Sequence, residues 1–518
     1  MADKPASRQV SGGSFETSVH DESVRDLKRH LRANIAEQSE EGVPKCSSAP
    51  GPSRDILSVS QIAVPGGFRR HHTSYNNPAR RRGKTNFAGL LSQLLDPNRA
   101  FPDCMDEEED MRSVKTVSFA PGDGSSNSVT VLVLIKTFLT GTILVLPGGY
   151  NTAGLIPGCC VLCVVGILEV YCMQLLVACR AHQGAGTYSE LAASLGKCGP
   201  VLLRIMLVAS QFGFVCAEHV YVASNALKVV SIVWPELELW HLIFMFMIVL
   251  VPLSWVRKIG FFAVTNLIGD VLVIGCVAYL FLYGSLQLYA YGPAEIEFVN
   301  PPVSSLLYMG TCVYVYEGIN VVLPIYEAHE CKENFSRLLG AVLSALTVIF
   351  VLFGIVWYLT FGDTTQEIAS LNLPQGTLEA NLIASAYAIA CLFTTPILFF
   401  PLTQELEVVF FPITTWTDVY RRKWAKNVFR TFLMLFSGVV GAVGGQNLES
   451  FLGIIGGLCC GPLAIMLPAA MHLQICEPKG LTRITDIVLV ILGFGITVLS
   501  TWISITNLYA ADTSFERE

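Results

Sequence analysis

"GTILVLP", residues 141–147, lies inside the first long apolar run of the chain. It sets a glycine and a proline at the depth where a broken backbone is hardest to satisfy. A later run holds "GINVVLP", residues 318–324, with the same G, V, L and P at the same spacing. The fold is read from these two matched interruptions. Around them the composition is that of a membrane protein: of 518 residues 52% are hydrophobic and 14% charged, the charges crowding into the first quarter and a few short connectors. From residue 129 onward, windows of about 20 apolar residues recur, each long enough to cross a hydrocarbon core of roughly 30 Å as a helix.

About eleven spans follow from these windows: 129–153, 158–179, 203–227, 240–256, 260–283, 303–325, 338–360, 381–403, 428–444, 450–473 and 485–507. Alternate connectors carry Arg180 and Lys197; Arg257 and Lys258; Lys332 and Arg337; Arg421, Arg422, Lys423, Lys426 and Arg430; Lys479 and Arg483. The opposite connectors carry Glu236, Glu238, Glu295, Glu297, Asp363, Glu367, Glu379 and Glu449. Lys/Arg bias in short loops sets orientation, so the amino terminus is expected in the cytosol and the carboxyl terminus outside or in a lumen. The sequon at Asn334 then falls on the cytosolic side, where it is not glycosylated.

The two interruptions fall in the first and sixth spans. Five spans separate equivalent positions, an odd number, so the two halves enter the membrane in opposite senses as an inverted repeat. Secondary transporters combine such repeats with discontinuous helices whose free backbone groups face a midplane cavity. Gly141 and Gly318 permit unwinding, and Pro147 and Pro324, lacking an N–H, help end or start a half-helix. A half-helix amino terminus offers unpaired N–H donors and a positive dipole end to a carboxylate. Carbonyls of a half-helix carboxyl end suit an ammonium, and together they match the common part of an α-amino acid. The expected substrate-binding residues are Thr140, Gly141, Thr142 and Ile143 in the first break and Tyr316, Glu317, Gly318 and Asn320 in the sixth.

At these residues the chain resembles the amino acid/auxin permease family, in its proton-coupled and vacuolar amino acid transporter branches. "KTFLTGTILVLPGGYNTAG" (136–154) is similar to the family's opening signature, and "SQFGFVCAEHVYVASNALKVV" (210–230) to its third helix. "YVYEGINVVLPIYE" (314–327) resembles the sixth-helix motif, "YLTFGDTTQEIASLNLP" (358–374) the outer-loop signature, and "LFTTPILFFPLTQELE" (392–407) the eighth helix. The resemblance covers residues 129–507 in order. It implies an all-α membrane protein with the amino acid permease (LeuT-like) fold: five plus five inverted repeats with helices 1 and 6 broken, and one extra helix. It also implies transport of neutral or cationic amino acids across the plasma membrane or a vacuolar or lysosomal membrane. The long cytosolic tail, short outer loops and absence of a lumenal sequon favour the vacuolar or lysosomal membrane.

A charge at the centre of a membrane helix costs roughly 2.5 to 3.5 kcal/mol on insertion scales, so each needs a partner, a wet cavity or neutralisation. Lys136, Glu169, Glu218, His219, Asp270 and Glu317 lie well inside the spans. Lys136 is expected to pair with a carboxylate and hold an inner gate, and Glu317 to pin the unwound segment or bind a substrate ammonium. For Glu169 and Asp270, hydrogen bonding between helices is expected. In the animal proton-coupled branch a histidine stands three residues before the first-helix lysine, where this chain has Val133. The coupling proton is therefore sought at Glu218 or His219, which point in different directions on one helix. Thr394 and Thr395, ahead of Pro396, offer hydroxyls where related folds place sodium, but a proton gradient is the preferred driving force.

Residues 1–125 are rich in Ser, Arg, Asp, Glu, Gly and Pro, with no signal peptide at Met1, and are expected to form a disordered cytosolic tail. Its basic stretches at 69–74 and 80–85 suit anionic lipid or regulatory contacts, with an acidic run at 106–110 and a short amphipathic stretch at 86–96. The transporter domain is set at 126–510 and a short outer tail at 511–518. The 16 cysteines lie mostly in apolar runs, as packing residues rather than metal ligands or disulfides. No cofactor, metal, nucleic-acid surface or enzymatic nucleophile emerges, and the partners are an amino acid and the bilayer, with a monomeric transport unit. An amino acid receptor of the same fold without net flux is the alternative. A channel is disfavoured because it needs no paired helix breaks.

Overall fold

The computed structural model describes residues 125–184, 186–257, 259–411 and 418–515, which form helices joined by turns and short connectors. The tail readings at 69–110 fall outside the described residues.

Helix α1 (Asn127–Phe138) ends at Leu139 and an extended Thr140, a 3₁₀ turn follows at Gly141–Val145, and α2 (Leu146–Ala153) completes the run at a 43° bend. Pro147 is the second residue of α2, where its missing N–H leaves no bond unmade. Gly154, at φ 86°, turns the chain into α3 (Leu155–Gln183). A short α4 (Tyr188–Ala192), started by a capping box at Thr187 and Glu190, leads to α5 (Cys198–Val230). After α6 (Leu239–Ser254) and α7 (Ala263–Tyr291) comes the second broken run, α8 (Pro302–Val315) and α9 (Ile319–Ala328). Next are α10 (Lys332–Phe361), α11 (Leu378–Phe410) and α12 (Val419–Gly444). The chain then passes α13 (Leu448–Ile454), two π-helical segments at Ile455–Cys460 and Pro462–Met466, α14 (Leu467–Ile475) and α15 (Leu481–Phe515).

Among the described residues, eight helices are long and apolar enough to cross a bilayer, nine when the bent α1–α2 pair counts as one span. One of these stretches, Tyr420–Ile475, is 56 residues long, and α6, with 16 residues, is apolar but short. The outward faces carry large apolar side chains such as Ile248 (75% exposed) and Ile167 (68%), a surface suited to lipid.

Inside, buried aromatics gather around α2: Tyr150 packs on Tyr308 of α8 at 5.8 Å between ring centroids and on Tyr358 of α10 at 6.4 Å. Because lipid tails are as apolar as leucine, spans associate through close packing of small residues rather than through a hydrophobic drive. Gly310 and Gly456 show this: a Cβ on Gly456 would lie 1.8 Å from the Gly310 carbonyl oxygen, so α8 meets the π-helical segment backbone to backbone.

The charged connectors are more built into the helices than the loop reading implies. Helix α12 begins at Val419, and its Arg430 and Lys426 are buried and converge on Glu407 of α11 at 2.5 and 3.2 Å. Arg430 also donates to the carbonyls of Ser254 and Val256, closing the end of α6. On the opposite side Lys228, at the end of α5, donates to the carbonyls of Ser370, Leu371 and Leu373 at 2.7 to 2.9 Å. Its ammonium thereby fastens the connector between α10 and α11, a structural duty unrelated to orientation.

Candidate functional site

The two breaks face each other. Phe138, the last residue of α1, packs against Gly318, where an added Cβ would lie 2.4 Å from the ring. Neither break is capped by a side chain: Thr140 ahead of the 3₁₀ turn and Gly318 ahead of α9 leave the first backbone N–H groups of each segment without that partner. Matched sequence does not give matched geometry, however. In the first span Gly141 opens the 3₁₀ turn and Pro147 opens α2. In the sixth, the chain leaves helical geometry at Tyr316 to Gly318, and Pro324 lies inside α9 rather than at its start.

Several of the expected contact residues have partners within the chain. Ile143 is buried, and Tyr316 donates its hydroxyl to Thr347 of α10 at 2.9 Å. The Thr140 and Thr142 hydroxyls bond each other at 2.7 Å, with Thr140 exposed. Glu317 accepts from Asn320 Nδ2 at 2.9 Å through Oε1, while Glu317 Oε2 and Asn320 Oδ1 are buried with no hydrogen-bond partner. Tyr387 of α11, which the sequence reading missed, donates to the Gly141 carbonyl at 3.0 Å and leaves no room for a Cβ there. Its sole signal is one phenol in an alanine-rich run, visible only once α11 is set beside the first break.

Among the coupling and gating candidates, Lys136 and Asp270 come together as an ion pair at 2.7 Å, joining α1 to α7. This agrees with the expected carboxylate partner for Lys136, and Asp270 also accepts from Asn266 at 3.4 Å. Either alanine substitution leaves one charge in a span without its partner, so each single variant should lose stability as well as uptake. The exchange Lys136→Asp with Asp270→Lys should recover part of the uptake. Uptake by both single variants equal to wild type would remove the pair from the working cycle.

Glu218 and His219 diverge as adjacent helical residues must. Glu218 lies beside Cys391 of α11, with Oε2 buried and unbonded. His219 Nε2 lies 2.9 Å from Ser437 Oγ of α12, and Ser437 gives its own proton to the Met434 carbonyl, so the ring is the donor. Thr394 and Thr395 donate to the carbonyls of Ala390 and Cys391 in their own helix, at 2.6 and 2.8 Å. Glu169 is fully buried and neither oxygen has a hydrogen-bond partner, so the expected interhelical hydrogen bond is not formed.

Each end of the paired breaks is tied. At one end the start of α1 joins the end of α9: Ser125 N–H donates to the Ala328 carbonyl at 2.9 Å, and the Thr130 hydroxyl is bonded to Ser125 Oγ (2.9 Å) and His329 Nδ1 (2.8 Å). Burial first, and then the Lys332 ammonium, push the His329 pKa down, which keeps this ring neutral within the latch. Arg180 of α3 pairs with Glu327 at the same end. At the other end Thr152 of α2 donates to Glu449 at 2.5 Å, and the Glu449 N–H donates to Glu367 at 3.3 Å. Burial pushes the Glu367 carboxyl up, against the opposing pull of the backbone N–H groups of Glu449 and Leu448.

Residues 123–506 match the family model described as transmembrane amino acid transporter protein. Among curated proteins the chain is 29% identical over 500 residues to vacuolar amino acid transporter 3 of Schizosaccharomyces pombe, covering 94% of this chain and 74% of that one. Vacuolar amino acid transporters 4 and 3 of Saccharomyces cerevisiae are 26% and 27% identical, over 71% and 88% of this chain and 55% and 70% of theirs. Of solved structures, the outward-open, substrate-bound state of a Na+-coupled sialic acid symporter overlays with a TM-score of 0.44 at 12% identity, covering 83% of this chain and 98% of that one.

Proposed function

Because the chain belongs to the transmembrane amino acid transporter family, we propose that it is a secondary carrier, not an enzyme, moving amino acids by alternating access about its two broken helices. The observation that carries this reading is the facing pair of uncapped breaks, Thr140–Gly141 and Glu317–Gly318, in contact through Phe138. Free N–H groups there suit a carboxylate, and Glu317 suits an ammonium. The two tied ends would be the gates, released in turn.

The architecture consistent with this is two inverted five-span halves and one further span. A straight helix of 56 residues would be roughly 84 Å long, more than twice a bilayer core, so Tyr420–Ile475 is two crossings. Adding α6 to the nine longer candidates brings the total to about eleven. The Lys/Arg bias puts the Ser125–His329 end in the cytosol, and the relatives' names favour a vacuolar membrane.

Flux is proton-linked in this reading, with the proton carried at Glu218. Uptake of labelled amino acids into reconstituted vesicles, with and without an imposed pH difference, tests it. An acid-inside and acid-outside pair of preparations should differ several-fold, and Glu218→Gln should erase that difference while counterflow exchange persists. Binding without accumulation or exchange under every gradient would reject transport, and an intact pH response in Glu218→Gln would reject the assignment of the proton.

A further inference from the structure

Four buried acceptor atoms near the sixth-span break have no donor: both carboxyl oxygens of Glu169, Oε2 of Glu317 and Oδ1 of Asn320. Glu169 is on α3, and the other two flank Gly318. Helix α3 reaches the break through Gly166, where an added Cβ would lie 2.7 Å from the Tyr316 hydroxyl. Glu169 is three residues further along, hence on the same face about 4.5 Å down the axis. The two carboxyls lie close enough to feel each other's charge. Among the described residues, no lysine, arginine or histidine makes an ion pair with either one.

Buried polar groups are nearly always hydrogen-bonded, and a buried carboxyl with both oxygens unmet calls for a partner or a proton. Glu169 is 0% exposed with two unmet oxygens, so it is more than a member of an acidic cluster. A π-helical stretch alongside, at Ile455–Cys460, is the kind of helix irregularity that marks ligand sites. Among the described residues nothing supplies such a partner, and a group rich in donors and positively charged would fit all four acceptors. A guanidinium carries five N–H donors and an ammonium three.

Resting on the reading of the two breaks as the substrate site, we infer that Glu169 recognises the positively charged side-chain end of a basic amino acid, while Glu317 and Asn320 stay with the α-amino group. The α-carboxylate and α-amino groups stay at the breaks, and the side chain runs along α3 toward Glu169. An uncharged side chain leaves both Glu169 oxygens unmet, so basic substrates are preferred over neutral isosteres.

The test compares arginine, its uncharged isostere citrulline, and alanine in reconstituted vesicles holding the full chain or Glu169→Gln. Wild type should accumulate arginine at least tenfold better than citrulline. The variant should lose that discrimination while keeping alanine uptake within twofold, which also reports that it folds. Wild-type uptake of alanine but not arginine, or undiminished arginine preference in the variant, overturns the inference and leaves transport standing. Equal loss of gradient-driven uptake of all three substrates, with counterflow exchange persisting, overturns it too and makes Glu169 a proton carrier. If no amino acid accumulates at all, the transport reading falls and this inference falls with it.

Discussion

Replacing Gly318 by valine should lower uptake by on the order of a hundredfold, the loss that a misplacement of about 1 Å at a working site produces. The first added carbon already lies 2.4 Å from the Phe138 ring, and valine carries two methyl carbons beyond it. Phe138 is 1% exposed, so the clash has to be relieved by a shift of its ring or of the start of α9 away from the end of α1. Either shift disturbs the contact between the two breaks. Gly275→Ala is the matched control, because nothing lies within 4 Å of a Cβ there, and it should keep wild-type uptake. Shrinking the opposing ring in Gly318→Ala with Phe138→Leu should recover part of the activity lost by Gly318→Ala alone. Full uptake by Gly318→Val in vesicles, at normal protein levels, would mean that the contact between the breaks is not used.

The largest loss of stability is expected away from the breaks, at Glu407→Ala. The Glu407 side chain is 9% exposed and takes Arg430 on one oxygen and Lys426 on the other; those side chains are 4% and 6% exposed. Removing the carboxylate leaves two cations buried without it, a mechanism that costs about 3–5 kcal/mol. Arg430 would retain the carbonyls of Ser254 and Val256, which accept hydrogen bonds but carry no full charge. The thermal midpoint of the purified protein in detergent should drop by several degrees, and Glu407→Gln, which keeps an acceptor, should fall between the two. A midpoint within a degree of wild type for Glu407→Ala would show that water already reaches this cluster. The prediction also separates two properties of the basic connectors. Lys/Arg bias orients the chain during insertion, whereas Arg430 and Lys426 afterwards hold α11, α12 and the end of α6 together.

Span positions and the existence of two breaks were legible because the bilayer allows so few backbone solutions. A run of about 20 apolar residues has to be a helix, and a glycine with a proline inside it has to be accommodated by neighbouring protein. The pairing of Lys136 with a carboxylate followed from the same argument, since an unpaired charge in a span is costly. Which carboxylate it meets was not legible, because Asp270 is on the fifth span and only the packing of α7 against α1 selects it over Glu169, Glu218 or Glu317. Nor was the role of the prolines: Pro147 starts a half-helix and Pro324 does not, although the two motifs read alike.

By itself, then, the sequence determined the solvent this protein lives in, the approximate run of its helices and the two places where they break. Those are local consequences of hydropathy, charge bias and backbone chemistry along one strand of chain. Tertiary structure alone decided that Phe138 meets Gly318, that Tyr387 takes the Gly141 carbonyl, that His219 faces Ser437, and that Glu169 is left without a donor. A helix presents every azimuth along its length, so which side chains converge depends on how each helix is rotated against its neighbours. Small residues such as Gly310 and Gly456 set that rotation by letting backbones touch, and their effect appears only when both helices are in place.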